Sequence, residues 1–337
     1  MKTALICGVS GQDGAYLAEL LLEKGYRVVG TSRDAQVTNF ANLDRLSIKD
    51  HVELVSMVLT DFRSTLQTID KAKPDEVYNL AGQTSVGLSF EQPVEAMDSI
   101  SVGTINLLEA VRFLGSGIRV YNATSSDCFG DTGTEAASEA TAFRPRSPYA
   151  VAKAAAHWAA VNYRDAYGLF AANGILFNHE SPLRPERFVT KKIVRAACRI
   201  RAGGQCTLKL GNLTIQRDWG WAPEYVEAMW RIMQQPKADD FVIATGSTYS
   251  LEDFTAAAFS ELGLDWRDHV EIDHDLIRPS DIMFSKGDAM KANSELGWKS
   301  TYIMPDVVRM MVHAESELGA VKFEERHRLA ARRQIGY

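Results

Sequence analysis

No run of about eighteen apolar residues occurs in the chain, so no segment is expected to cross a membrane as a helix. The opening stretch, Met1-Lys2-Thr3-Ala4-Leu5-Ile6-Cys7, is too short an apolar run for a secretory signal. Cysteine is scarce. Cys7, Cys128, Cys198 and Cys206 form no Cys-x-x-Cys pair, which speaks against a zinc site or disulfide frame and for reduced thiols in a cytoplasmic protein. Positive charge is not in excess: Lys+Arg number 37 against 43 Asp+Glu, a net charge of −6 that argues against nucleic acid as the main partner. Low-complexity segments and repeats are also missing. What remains is ordinary globular usage, 337 residues with 46% hydrophobic and 24% charged, enough for two domains or one large domain with a lobe.

The N-terminal pattern is the clearest. Thr3 to Cys7 is a short apolar run, followed at once by Gly8-Val9-Ser10-Gly11-Gln12-Asp13-Gly14. From Tyr16 to Lys24, Leu17, Leu20 and Leu21 fall on one helical face, Gly25 closes the turn, and Tyr26 to Thr31 reads as a second strand. In such a βαβ unit the glycines permit a tight turn and let backbone approach a pyrophosphate at the positive helix N-terminus. Dinucleotide binding is the prediction. After the second strand, Arg33 suits a ribose 2′-phosphate and hence NADP, while Asp34 leaves NAD open. Strands at Val52 to Val58 and Glu76 to Leu80, with a helix at Leu66 to Lys73 between them, continue the alternation. Ala81-Gly82-Gln83-Thr84-Ser85 then supplies small residues for a loop close to the cofactor. A long helix from about Val94 to Leu114 leads to a strand from Arg119 to Ala123. The expected fold is α/β: a Rossmann-type doubly wound parallel sheet with a smaller mixed α/β C-terminal lobe.

Arg146-Ser147-Pro148-Tyr149-Ala150-Val151-Ala152-Lys153 opens an Ala-rich helix in which Pro148 suits the first turn. Tyr149 and Lys153 stand four residues apart, hence on one face. An ammonium beside a phenol favours the phenolate and is expected to lower a pKa that is normally about 10. Such a phenol can take a proton from an alcohol while hydride leaves the carbon. Upstream, the strand from Arg119 ends in Thr124-Ser125-Ser126-Asp127. Ligands of open α/β sheets bind beyond the carboxyl ends of strands, which predicts that these groups share a crevice with Tyr149.

With Val77-Tyr78-Asn79-Leu80, Gly174-Ile175-Leu176-Phe177-Asn178-His179-Glu180-Ser181-Pro182, Arg217-Asp218-Trp219-Gly220 and Leu296-Gly297-Trp298-Lys299, these stretches resemble the extended short-chain dehydrogenase/reductases of nucleotide sugars. Among them, the GDP-mannose 4,6-dehydratase family resembles this chain over nearly its whole length. The resemblance implies a hydro-lyase turning a GDP-hexose into the 4-keto-6-deoxy sugar, with Ser125, Asp127, Tyr149 and Lys153 catalytic. It implies that NADP, or NAD, is held by Gly8, Gly11, Gln12, Asp13, Gly14, Arg33, Leu59, Leu80, Ala81, Gln83, Tyr149, Lys153, Leu176, His179 and Arg184. The GDP-sugar falls to Ser85, Ser126, Asn178, Lys192, Arg217, Arg278 and Asp281, where Arg forks suit phosphate. No metal is implied, and the assembly is a homodimer, through two helices, or a homotetramer. A GDP-sugar epimerase or reductase is the alternative, and a non-catalytic NADP-binding protein a third.

The chain departs from the family pattern at several functional positions. Asp127 stands where Glu is usual, shortening the arm by roughly 1.5 Å, and misplacement of about 1 Å can cost about a hundredfold in rate. Ser125 replaces Thr, Asp34 replaces the second Arg of a pair, Val58 replaces Asp, and Cys128, where Leu is usual, reads as a small buried hydrophobe. Residues 1–176 are expected to form the dinucleotide domain and 177–337 the substrate lobe, with segments near 210–250 free to return to the first domain. Helices are expected at Val189 to Ala202, Leu251 to Leu262 and Asp306 to Leu318, with a strand at Asp240 to Thr245. The charged tail from Lys322 to Arg333 reads as a solvated helix or an oligomer arm.

Overall fold

The computed structural model describes residues 1–317 apart from Ser116, Gln205 and Cys206. In the first half, β1 (Thr3–Cys7), β2 (Arg27–Ser32), β3 (Glu53–Ser56), β4 (Glu76–Asn79), β5 (Arg119–Ser125) and β6 (Ala171–Leu176) alternate with helices. These are α1 (Gln12–Glu23), α2 (Ala41–Arg45), α3 (Phe62–Ala72), α4 (Val86–Glu91), α5 (Pro93–Ala96), α6 (Gly103–Leu114) and α7 (Pro148–Tyr167). The second half contributes β7 (Asn178–Glu180), α8 (Val189–Arg201), β8 (Leu208–Leu210), β9 (Gln216–Arg217), β10 (Trp219–Trp221), α9 (Ala222–Met233) and β11 (Asp240–Ile243). After these come β12 (Tyr249–Ser250), α10 (Leu251–Ser260), β13 (Val270–Ile272), α11 (Met290–Leu296) and a helix over 304–317.

Seven parallel strands form one sheet in the order β11-β6-β5-β4-β1-β2-β3. The inner strands are buried on both faces, as a parallel sheet covered by helices requires, with Glu76, Asn79, Asn122 and Asn173 buried among their apolar residues, whereas the edge strand β3 is half exposed. Helices α1, α9 and α11 cover one face and α3, α6 and α7 the other. Strand order reverses between β1 and β4, and the crevice for a ligand opens there. A second core joins Ile193 and Val194 of α8, Phe254 and Phe259 of α10, and Val308 and Met311 of the last helix. It carries the rest of the cavity wall.

Most expected elements form, with altered ends. The long helix expected from Val94 is α5, a π-helical segment (Met97–Val102) and α6 in succession. The α7 helix continues to Tyr167 and stops at Gly168, whose φ of +68° suits glycine. The strand expected to reach Thr245 ends at Ile243, because the N–H groups of Thr245 and Gly246 turn to the Asp218 carboxylate at 2.9 and 2.8 Å. Residue 318 and the tail from Lys322 to Arg333 lie outside the described residues.

Candidate active site

The β5 strand delivers Ser125 at its carboxyl end, and a single 3-10 turn (Ser126–Phe129) carries Asp127 round beside it, the Asp127 N–H donating to Ser125 Oγ at 3.2 Å. Opposite, Ser147 caps α7 by accepting the Ala150 N–H at 3.1 Å, and Pro148 occupies the first turn. That start sets Tyr149 one turn before Lys153 on the face toward β5. Ser125, Ser126, Asp127, Tyr149 and Lys153 all line one cavity of about 380 Å³, within the usual range for ligand sites.

The electrostatics correct one expectation. Tyr149 is not lowered by Lys153. Burial pushes the phenol above its usual value and the Asp127 charge adds to this, against a hydrogen bond with Ser125. Lys153 cannot compensate, because its own Nζ donates to the Ala123 carbonyl at 2.7 Å and stays 6.0 Å from the Tyr149 ring centroid. Burial lowers Lys153 itself to about 8, opposed by Cys128 and Asp13. Asp127 is raised by burial, which outweighs the pull of Arg217 and Arg278. A carboxyl so placed is a stronger base than an exposed one and can serve as base and then acid. Cys128 is fully buried and its thiol is pushed up to about 12, in keeping with a packed hydrophobe.

The glycine turn is as tight as its spacing suggests. A Cβ on Gly14 would sit 2.4 Å from the Gly8 carbonyl oxygen, and Gly8 has a φ of +84° with Ala81 close against it. Gly11 opens α1 without a side-chain cap, so the first N–H groups of the helix are left for a ligand. Gln12 is buried behind the cavity wall, its Nε2 donating to Asp13 Oδ1 at 2.9 Å and to the His179 carbonyl at 3.2 Å. Asp13, Leu80, Leu176, His179 and Arg184 line the cavity, and Arg184 stacks over Phe188 at 3.8 Å. Of the residues expected at the cofactor, Gly8, Gly11, Gln12, Gly14 and Ala81 form the turn and loop behind the wall, and Arg33, Leu59 and Gln83 also do not line it. Arg33 is an exposed side chain 3.7 Å from Glu95, just beyond β2. Leu59 is buried under α6, its carbonyl accepting from Asn106, and Gln83 Nε2 donates to the Ser85 carbonyl.

On the substrate side, Ser85, Asn178, Lys192, Arg217, Arg278 and Asp281 join the same cavity. Asp281 draws the two arginines together, 3.9 Å from Arg217 and 3.8 Å from Arg278. Lys192 instead donates to the Lys209 carbonyl at 2.7 Å. The sequence reading missed Arg146 and Arg187, both on the cavity wall, with Arg187 Nη2 donating to Thr84 Oγ1 at 3.2 Å across the mouth. Both lie in irregular loops, where no periodicity marks a facing residue; the only signal was their closeness to Tyr149 and Arg184. Among the described residues no cluster of metal ligands occurs, and Cys7, Cys128 and Cys198 are free thiols, with Cys206 outside them. Among the same residues no helix is long and apolar enough to cross a membrane.

Comparison with known proteins places this geometry. A family model described as GDP-mannose 4,6 dehydratase matches residues 5–311. GDP-mannose 4,6 dehydratase 1 of Arabidopsis thaliana is 49% identical over 327 residues, covering 94% of this chain and 90% of the plant protein. The human GDP-mannose 4,6 dehydratase is 41% identical over 342 residues, covering 94% and 92%. Among solved structures, Thermus thermophilus UDP-glucose 4-epimerase in complex with NAD superposes with a TM-score of 0.81 at 24% identity, covering 93% of this chain and 98% of that one. RMD from Pseudomonas aeruginosa, complexed with NADPH, gives 0.77 at 21%, covering 94% and 98%. Those two likenesses establish the fold. The matched family model and the identity along almost the full length of both relatives establish more: the chain belongs to the GDP-mannose 4,6-dehydratase family.

Proposed function

We propose that this chain is a nucleotide-sugar 4,6-dehydratase, converting GDP-mannose or a close GDP-hexose to the GDP-4-keto-6-deoxy sugar. The observation that carries the reading is the convergence of Ser125, Asp127 and Tyr149 on one cavity, in a chain 49% identical to a protein named for that reaction. The residues present suit a nicotinamide dinucleotide. The Gly8–Gly14 turn is too tight for a Cβ at Gly14, the N-terminus of α1 is uncapped by side chains, and buried Gln83 Oε1 and Asn178 Oδ1 have no partner among the described residues. Gly8, Gly11 and Gly14 would hold the pyrophosphate, with Leu80, Leu176 and His179 toward the nicotinamide. Arg33 at the end of β2 favours NADP and leaves NAD open. When bound, the oxidised nicotinamide would supply a site that takes up and returns hydride and a positive charge that opposes the burial holding the Tyr149 phenol protonated.

The chain's own residues then manage protons. Tyr149 removes the proton from the sugar O4 while Ser125 hydrogen-bonds that oxygen and fixes it. Oxidation at C4 acidifies the C5–H bond, and Asp127 removes that proton. Asp127 next donates to the C6 hydroxyl, which leaves as water. Two protons are taken, from O4 and C5; two are returned, one to the leaving hydroxyl and one to C5 as C6 receives hydride. No external oxidant is consumed. Lys153, tied to the Ala123 carbonyl, fixes α7 against β5 so that Tyr149 faces Ser125.

Arg217 and Arg278 are placed to hold the diphosphate, bidentate geometry being their strength. An exposed apolar stripe on the α6–α7 face supports pairing with a second copy of the chain, and buried unpaired Cys7 and Cys128 suit a reducing, cytoplasmic compartment. The deciding experiment is incubation of the purified protein with GDP-mannose without added cofactor. A product lighter by one water is expected. Unchanged mass with inverted stereochemistry would indicate an epimerase instead, and net consumption of cofactor a reductase.

A further inference from the structure

His179 lies between two acceptors. Its Nδ1 is 2.7 Å from the Phe177 carbonyl oxygen and its Nε2 is 2.9 Å from Asp13 Oδ2. A neutral imidazole carries one N–H and can donate to only one of them, so both bonds together require protons on both nitrogens. Placing a proton on Asp13 instead is disfavoured, since Asp13 Oδ1 already accepts from Gln12 Nε2 at 2.9 Å and Arg184 adds positive charge nearby.

The other groups facing this pair are few. From α9, Tyr225 stacks on the imidazole at 4.5 Å, and burial keeps its phenol neutral. Arg184, beyond β7, opposes the charge on the ring; Lys153 from α7 and Tyr121 from β5 act on Asp13. Glu180 pairs with Arg184 at 3.0 Å and also acts on Tyr225. Burial works against a charged His179, but Asp13 outweighs it and the ring is raised above its usual value. Asp13 is held down at about 2: burial works to raise it, and His179, Gln12 and Arg184 prevail.

The pair spans a seam. On one side is the glycine turn; on the other is β7, whose Asn178 and Glu180 line the cavity. Two neutral bonds cross the same seam, from Gln12 Nε2 to the His179 carbonyl at 3.2 Å and from Ser181 Oγ to Gln12 Oε1 at 2.8 Å. Of these three contacts, the Asp13–His179 one depends on the protonation of its partners.

We infer that Asp13 and His179 form a carboxylate–imidazolium clasp that fastens the glycine turn to β7, and that opening it weakens dinucleotide binding in that turn. Both line the cofactor cavity, and through the clasp each also fixes the position of the other. The inference rests on the dehydratase reading only for the ligand, a nicotinamide dinucleotide.

Histidine-selective 15N NMR of the full chain between pH 6 and 9.5 reads the clasp directly, and calorimetric titration with NADP+ reads its effect. The variants are Asp13→Asn, His179→Gln and the two combined. In the parent, His179 is expected to show two protonated nitrogens at neutral pH and to lose one only well above about 6.5. Asp13→Asn should leave the ring neutral at pH 7. Each single substitution should weaken NADP+ about tenfold, and the pair together no more than either alone, as expected of coupled partners. GDP affinity should stay within about twofold throughout, which reports an intact lobe. A singly protonated ring in the parent at pH 7 overturns the inference whatever the variants do. Unchanged NADP+ affinity in the single variants, or losses that add in the double one, overturns the coupling. Failure of the dehydratase reading would show separately, as no dehydrated product from GDP-mannose.

Discussion

On the proposed mechanism, the reaction turns on Asp127. It follows Ser125 by two positions, shares its cavity and is raised by burial, so it is suited to take the C5 proton and hand it to a leaving hydroxyl. Oxidation at C4 does not use it. Asp127→Asn is therefore expected to separate the two halves of the cycle. Loss of water should fall by about 10²–10⁴-fold, the usual worth of a positioned acid–base group, while the absorbance of reduced nicotinamide still rises on mixing with GDP-mannose. If dehydrated product forms at the parent rate, the acid lies elsewhere. Lys153 makes a second prediction at this scale. Its folded-state pKa is lowered to about 8, so the ammonium that is bonded to the Ala123 carbonyl is present below that pH and lost above it. Cofactor reduction should then decline as pH rises through about 8, seen as an alkaline limb in stopped-flow rates. A flat profile from pH 7 to 9.5 would remove Lys153 from the step.

At the scale of the element, α7 is the part that must begin in the right place. Ser147 accepts the Ala150 N–H and Pro148 presets the first turn, so Tyr149 is fixed by the helix start as much as by its neighbours. Ser147→Ala should cost about 1 kcal/mol and lower Tm by roughly 2–4 °C, measured by calorimetry, with a larger fractional loss in the rate of cofactor reduction. An unchanged Tm would mean the cap is replaced by water. The same helix shows what can be read from sequence. The i, i+4 spacing of Tyr149 and Lys153, the glycine turn after β1 and the hydroxyls at the end of β5 are local, and each follows from the period of its own element. Partners across the fold do not. His179 meets Asp13 over 166 residues of separation, Arg187 meets Thr84 over 103, and Lys153 spends its ammonium on a carbonyl of β5 instead of the phenol. Spacing names the face a residue occupies; it does not say how strongly that face is buried. For that reason the expected lowering of Tyr149 had the wrong sign.

For the whole molecule, the exposed apolar stripe on α6 and α7 is the surface on which pairing with a second copy is proposed. Val102, Ile105 and Phe113 are exposed along the π segment and α6, and Val151 and Trp158 along the neighbouring α7. Phe113 is 69% and Trp158 59% exposed, a poor use of two large rings in a lone chain. A two-fold axis through this face would bring the same stripe from each copy together, as a self-complementary interface requires. The side of α7 that carries Tyr149 and Lys153 is turned toward β5 and the cavity and would stay untouched. Phe113→Glu combined with Trp158→Glu places two carboxylates in the centre of that contact, where they lack partners. Sedimentation equilibrium should then give the mass of one chain for the variant and at least twice that for the parent, with GDP affinity within about twofold of each other if the fold is intact. A parent that already sediments as a single chain, or a variant that keeps the parent's mass, would move the interface away from α6 and α7.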